Sequence, residues 1–268
     1  MKTESMLRRR FLGVSGCGAV GVFLGTSIGT HQAHAASAEA VALVGGFTWI
    51  TQSGFRVQDR TKVVYFDPIG LTAASNDADL VCVSHSHGDH CEAASVRRIL
   101  KDGTKVVTEP ESAATLRSVA NDITILKPGD EITVGEIKVK AVHSYNINKT
   151  NHPKSKNWLG FVVTLSDGRR VYHAGDTDNI PEMADIETDV ALLPVGGTYT
   201  MDYREAAEAA KTIQPRVAVP MHYGSRVGTP QDGKRFEELL AGVVQVVVFE
   251  PGQTIPPSGN RVQDWHQQ

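Results

Sequence analysis

Six residues, His85-Ser86-His87-Gly88-Asp89-His90, put three imidazoles and a carboxylate directly after Leu80-Val81-Cys82-Val83-Ser84. The preceding run is apolar and β-branched and reads as a buried strand. Glu92 to Leu100 has helical composition. A strand that passes into a helix through such a cluster points to an α/β arrangement, in which ligands gather at the carboxyl ends of strands. Neutral imidazole and carboxylate suit zinc, and also manganese or iron. His85 and His87, two apart in extended backbone, point the same way. Asp89 and His90 lie beyond Gly88, where the chain turns, and face a second point. One stretch can therefore begin two metal sites.

Two metals with open coordination need about seven protein ligands, so three more must come from later in the chain. Other strand-like runs offer them at their ends. Ile137 to Val142 alternates and ends at His143, Arg170 to Gly175 ends at Asp176, and Arg216 to Met221 ends at His222. A carboxylate can bridge two cations, and Asp176 is the residue placed to do so. Asp67, before Pro68, is placed either to orient a ligand imidazole or simply to form a turn.

These pieces resemble the metallo-β-lactamase superfamily of dinuclear metal hydrolases. His85–His90 matches its H-x-H-x-D-H motif, and His143, Gly175-Asp176-Thr177 and Pro220-Met221-His222-Tyr223-Gly224 follow in order. Leu193 to Met201 resembles a segment of the branch that holds ascorbate-6-phosphate lactonase-like and N-acyl-phosphatidylethanolamine phospholipase D-like proteins. The resemblance covers about residues 42–250. It implies a four-layer αββα sandwich, with one metal on His85, His87 and His143, a second on Asp89, His90 and His222, Asp176 between them, and a bridging hydroxide. The ions implied are two divalent metals, zinc foremost, with manganese or iron accepted by the same donors. One departure stands out: many relatives carry a Gly-His-Ala/Ser segment before the second strand, and this chain has Gln52 where that His would be.

The 268 residues suffice for one large domain, and the formal charge is −3. Residues 1–35 read as a twin-arginine export signal: Arg8-Arg9-Arg10-Phe11-Leu12, a Gly-rich apolar run, then the small-x-small site Ala33-His34-Ala35. That assigns residues 36–268 to a single hydrolase domain and the protein to the periplasm or the exterior, with membrane contact only through an uncleaved signal. Its removal leaves a charge of about −6, which excludes nucleic acid as a partner. A small-molecule substrate is the partner that remains; the sequence leaves the oligomeric state open. Cys82 and Cys91 read as packing residues without a disulfide. Helices are expected over Pro110–Val119, Asp202–Ile213 and Thr229–Ala241, and strands over Ile123–Leu126, Glu131–Val134 and Val243–Phe249.

The polar stretch Ser144 to Trp158, with Tyr145, Lys149, His152-Pro153 and Lys154, leaves a ligand end and reads as a specificity loop. Tyr145 is expected to hold a developing oxyanion, with Tyr223 as the other phenol available. Asp89, as in related lactonases, is expected to pass a proton to the leaving group. The expected activity is metal-dependent hydrolysis of a lactone or other ester, with phosphodiester hydrolysis on the same site as the alternative. A non-catalytic exported metal-binding module is the alternative from another class.

Overall fold

The computed structural model describes residues 36–257, so the export signal lies outside the described residues. After a short helix α1 (Ala38–Leu43), the first sheet contains β1 (Phe47–Thr51), β2 (Gly54–Asp59), β3 (Lys62–Phe66) and β4 (Ala78–Val83). Helix α2 (Ala93–Ile99) leads to β5 (Leu100–Thr108), and α3 (Pro110–Leu116) leads to β6 (Ile123–Ile125). The second sheet follows with β7 (Glu131–Val134), β8 (Ile137–His143), β9 (Leu159–Thr164), β10 (Arg170–His173) and β11 (Val190–Pro194). It is completed by α4 (Tyr203–Ile213), β12 (Val217–Met221), α5 (Asp232–Leu240) and β13 (Gln245–Val246).

Strand order is β1-β2-β3-β4-β5-β6 in the first sheet and β13-β12-β11-β10-β9-β8-β7 in the second. Each sheet is half antiparallel meander and half parallel. The parallel pairs are β3–β4, β4–β5 and β5–β6 in one, and β10–β11, β11–β12 and β12–β13 in the other. Parallel strands need helical crossovers, which cover the outer faces.

Period-two patterning decides which side chain enters which layer. On β4, Leu80 and Cys82 belong to the core between the sheets, while Val81 and Val83 join the cluster with Val96, Ile99 and Leu116 of α2 and α3. On β3, Val64 and Phe66 face inward and Val63 and Tyr65 outward. The inner core also takes Phe47, Phe55, Phe161 and Val171, and the buried small face of α4: Ala206, Ala207, Ala209 and Ala210. This is the four-layer αββα sandwich expected from the sequence.

Local signals set the helix starts. Asp202 caps α4 by accepting from the N–H groups of Arg204 (2.8 Å) and Glu205 (2.9 Å), and Glu109 caps α3 through Ser112 N and Glu111 N. Each cap contributes about 1 kcal/mol. Three boundaries differ from expectation. Helix α3 ends at Leu116, short of Val119. Helix α5 begins at Asp232, because Asp232 Oδ2 accepts from Thr229 N and closes a turn ahead of the helix. The last strand shrinks to Gln245–Val246. Cys82 and Cys91 are buried and unbridged, as expected.

Candidate metal centre

Strand β4 delivers the His85–His90 cluster at its carboxyl end. The turn does not depend on glycine: Gly88 has no positive φ, and a Cβ there would meet nothing within 4 Å. Instead His87 O accepts from the N–H groups of His90 and Cys91, both at 2.9 Å. Across the sandwich, Asp176 follows β10 through Gly175, whose φ is +64° and whose added Cβ would lie 2.8 Å from Leu159 O. A side chain is excluded there by both conformation and space. His222 follows β12 with φ +57° and is pinned by its N–H to Gln52 O at 2.9 Å. Gln52 and Asp67 also have positive φ, +54° and +39°. Left-handed backbone costs a non-glycine residue roughly 1–2 kcal/mol, so three residues around this centre are held in strained conformations by their surroundings.

Three groups of donors form, each with its ligand atoms within 4.8 Å of one another: His85, His87 and His152; His85, His90 and Asp176; and Asp89, His90 and His222. Asp176 is central. Its Oδ1 lies 3.2 Å from His90 Nε2, and its Oδ2 lies 3.2 Å from His222 Nε2 and 3.3 Å from His152 Nε2. Asp89 Oδ2 is 3.7 Å from His222 Nε2.

Neighbouring groups fix the tautomers. Asp67, fully buried, accepts from His90 Nδ1 (2.7 Å), Ser84 N (2.7 Å) and Ser84 Oγ (2.6 Å). Because the Ser84 hydroxyl proton goes to Asp67, its oxygen accepts from His85 Nδ1 at 2.9 Å. His152 Nδ1 donates to Asn146 Oδ1 (2.9 Å) and faces Tyr199 O (3.2 Å). In His85, His90 and His152 the Nδ1–H is thus committed, and Nε2 is the atom turned to the centre. Among the described residues, His90 Nε2, His152 Nε2 and Asp176 Oδ1 are buried without a hydrogen-bond partner, despite their short separations. Their lone pairs converge on shared space rather than on each other, and the donors fit divalent cations.

Electrostatics agree. Burial pushes the His85 imidazole well below its ordinary range, with the neighbouring His90 adding to it. Burial also opposes the charge on His222, but the Asp176 carboxylate outweighs it and raises this pKa to about 9. Asp176 and Asp89 are held well below the usual carboxylate range: burial opposes this, and imidazole charges and hydrogen bonds overcome it. The centre is thus rich in ionised carboxylate and in imidazole ready to exchange a proton for a cation.

Six of the expected ligands come together: His85, His87, Asp89, His90, Asp176 and His222. His143 does not. Ser144, one residue beyond β8, donates from Oγ to Asp176 O at 3.1 Å, while His143 joins none of the three donor groups and lies on the outer side of the sheet. There its ring meets Tyr145 at 6.0 Å and lines an outer cleft of about 680 Å³ with Lys140 and Glu182. His152 takes its place beside His85 and His87. Asn146 folds the loop back for this: its Oδ1 accepts from His152 N, its N–H donates to His152 O, and its Nδ2 binds Asp178 and Tyr199 O. In the sequence, His152 was one polar residue among others in an aperiodic loop, and only its position between two ligand-bearing strands hinted at a role. Trp158 was missed as well; its indole lies 4.7–5.5 Å from the rings of His85, His87 and His152 and walls one side.

Two phenols are engaged away from the donor groups. Tyr145 Oη donates to Glu182 Oε2 at 2.9 Å and accepts from Lys154 Nζ at 3.3 Å, on the outer side. Tyr223 stacks on Trp49 and abuts Gly233 of α5. The loop lysines pair with carboxylates, Lys149 with Asp178 and Lys154 with Glu182. His173 donates from Nε2 to Ser53 O at 2.8 Å and stacks on Phe66, which makes it a packing residue.

A sandwich of this topology with a His/Asp centre at the edge of both sheets defines a class, and comparison with known proteins agrees: residues 46–222 match the beta-lactamase superfamily domain. A UPF0173 metal-dependent hydrolase of Thermoplasma acidophilum is 39% identical over 178 residues, 65% of this chain and 77% of that protein. The chain belongs to this superfamily and, within it, to the UPF0173 family of metal-dependent hydrolases. Among solved structures, a candidate metal-dependent hydrolase from Parabacteroides distasonis is 27% identical, with a TM-score of 0.67 over 77% of this chain and 93% of its own. Igni18, a metallo hydrolase from Ignicoccus hospitalis, is also 27% identical, with a TM-score of 0.62 over 77% of this chain and 95% of its own.

Proposed function

We propose that the chain is a dinuclear hydrolase of lactones or related esters, exported through its twin-arginine segment. One ion would be held by His85, His87 and His152, a second by Asp89, His90 and His222, with Asp176 between. The observation that carries this reading is the set of overlapping donor groups: His85 and His90 each belong to two of the three, and Asp176 stands among them. Bound there, zinc, manganese or iron would lower the pKa of water toward neutrality and polarise the substrate oxygen.

The chain's own residues do the rest. Asp67 and Ser84 hold one imidazole from each subsite in its ligating tautomer. Trp158 packs its indole against the His85, His87 and His152 rings and limits their freedom to turn. Asp89, whose side chain is 24% exposed against 4% for Asp176, is the carboxylate open to a substrate. Its carboxylate is placed to take a proton from the attacking water and release it to the leaving oxygen.

Purified protein lacking residues 1–35 should contain close to two such ions per chain by elemental mass spectrometry. In that form it should cleave a member of a lactone and ester panel. Turnover of phosphodiesters alone would move the reading to the alternative on the same site; less than one ion after reconstitution would refute it.

A further inference from the structure

Gln52 occupies the two-residue turn between β1 and β2, with φ +54° and only 2% of its surface exposed. Both of its oxygens are committed. Its carbonyl accepts from Trp49 Nε1 at 2.9 Å and from His222 N at 2.9 Å. Its Oε1 accepts from Ser225 Oγ at 2.9 Å. The remaining group, the amide NH2, lies 3.4 Å from Asp89 Oδ2 and 3.3 Å from His222 Nε2. Asp89 accepts only, which fixes the NH2 toward the subsite. An amide nitrogen has no lone pair to give a cation. Carrying a proton or an ion, His222 Nε2 is no acceptor, so the NH2 keeps Asp89 Oδ2 and faces any further oxygen the subsite holds.

We propose that the Gln52 carboxamide is a built-in hydrogen-bond donor to an oxyanion seated at the Asp89–His90–His222 subsite. It fills the role that Tyr145 and Tyr223 are too far committed to fill. The donor is pre-organised: its backbone is tied to both sheets, through Trp49 and His222, and its side chain to Ser225. A donor that need not reorient when charge develops stabilises that charge most. The ligand chemistry is a tetrahedral or carboxylate oxyanion. This inference rests on the dinuclear reading above.

The test uses protein lacking residues 1–35, loaded with zinc and desalted, with inorganic phosphate as the probe. Metal content, thermal midpoint and phosphate affinity by calorimetry are measured for wild type, Gln52→Ala and Gln52→Glu. Phosphate affinity should fall about tenfold in Gln52→Ala, the scale of a hydrogen bond to a charged group. It should fall further in Gln52→Glu, which keeps the shape but sets a carboxylate against the anion. Metal content should stay at the wild-type value in both. Equal phosphate affinity in all three metal-loaded proteins would overturn the assignment and leave the dinuclear reading standing. Loss of an ion in Gln52→Ala would also overturn it, by making Gln52 a support for the metal. A wild type that takes up no metal would refute the dinuclear reading itself.

Discussion

Replacing His152 and His143 separately gives the sharpest check, because the sequence nominated one and the structure the other. In His152→Ala, the His85–His87–His152 group loses one of its three imidazoles, and the Asn146 hydrogen bond at 2.9 Å loses its donor. Structural zinc sites bind with roughly 10–16 kcal/mol shared among four ligands, so one ligand contributes roughly 2.5–4 kcal/mol. That corresponds to about two to three powers of ten in affinity. His143 lies on the outer cleft against Tyr145, and its loss should change metal affinity by no more than about twofold, the scale of a surface substitution. Zinc titration against a competing chelator reads both, with elemental analysis of the desalted proteins as the second measure. His152→Ala should retain about one ion per chain and His143→Ala two. The reverse pattern would refute the placement of the 144–158 loop and of His143 on the outer cleft.

Asp67→Ala should weaken metal binding by about ten- to a hundredfold, since Asp67 orients His90 directly and His85 through Ser84. It should also lower stability by about 3 kcal/mol for three lost buried hydrogen bonds, read by denaturant unfolding. Tyr145→Phe should leave metal content and turnover unchanged while costing about 1 kcal/mol of stability, as its phenol serves Glu182. Zinc affinity should rise with pH up to at least about 9, because the ion must displace protons from His90 and His222, which the Asp176 carboxylate raises against burial, His222 to about 9. The metal-free chain should follow the opposite course: a raised histidine pKa contributes stability that is complete below the ordinary value of 6.5 and is lost as pH rises toward 9. Calorimetric zinc titrations and thermal melts across that range test both signs.

Much of the fold was legible because apolar, β-branched runs mark strands without tertiary knowledge; Leu80 to Val83 reads as a buried strand, and only the structure divides Leu80 and Cys82 from Val81 and Val83. The H-x-H-x-D-H stretch was legible because its donors sit on one strand end and cannot be far apart. Asp176 and His222 followed from the same rule applied to β10 and β12. His143 stands apart although it lies two residues beyond the inward Ala141, because the alternation of β8 is lost at its end, where Val142 and His143 are both half-buried. His152 was illegible because hydrogen bonds from Asn146 to residues distant in sequence position it. Gln52 was noticed only as a departure, since its turn conformation and the commitments of its other atoms arise on folding.

The centre draws its donors from both halves of the sandwich: His85, His87, Asp89 and His90 from beyond β4, and His152, Asp176 and His222 from the second sheet. Ions held there act as rivets across a seam that is otherwise closed at this edge by a few main-chain bonds, such as Leu159 N to Ser84 O and His222 N to Gln52 O. Closing a long loop costs little more than closing a short one, so such rivets favour the fully assembled sandwich over either sheet alone. A chain exported already folded would cross the membrane with its cargo locked in.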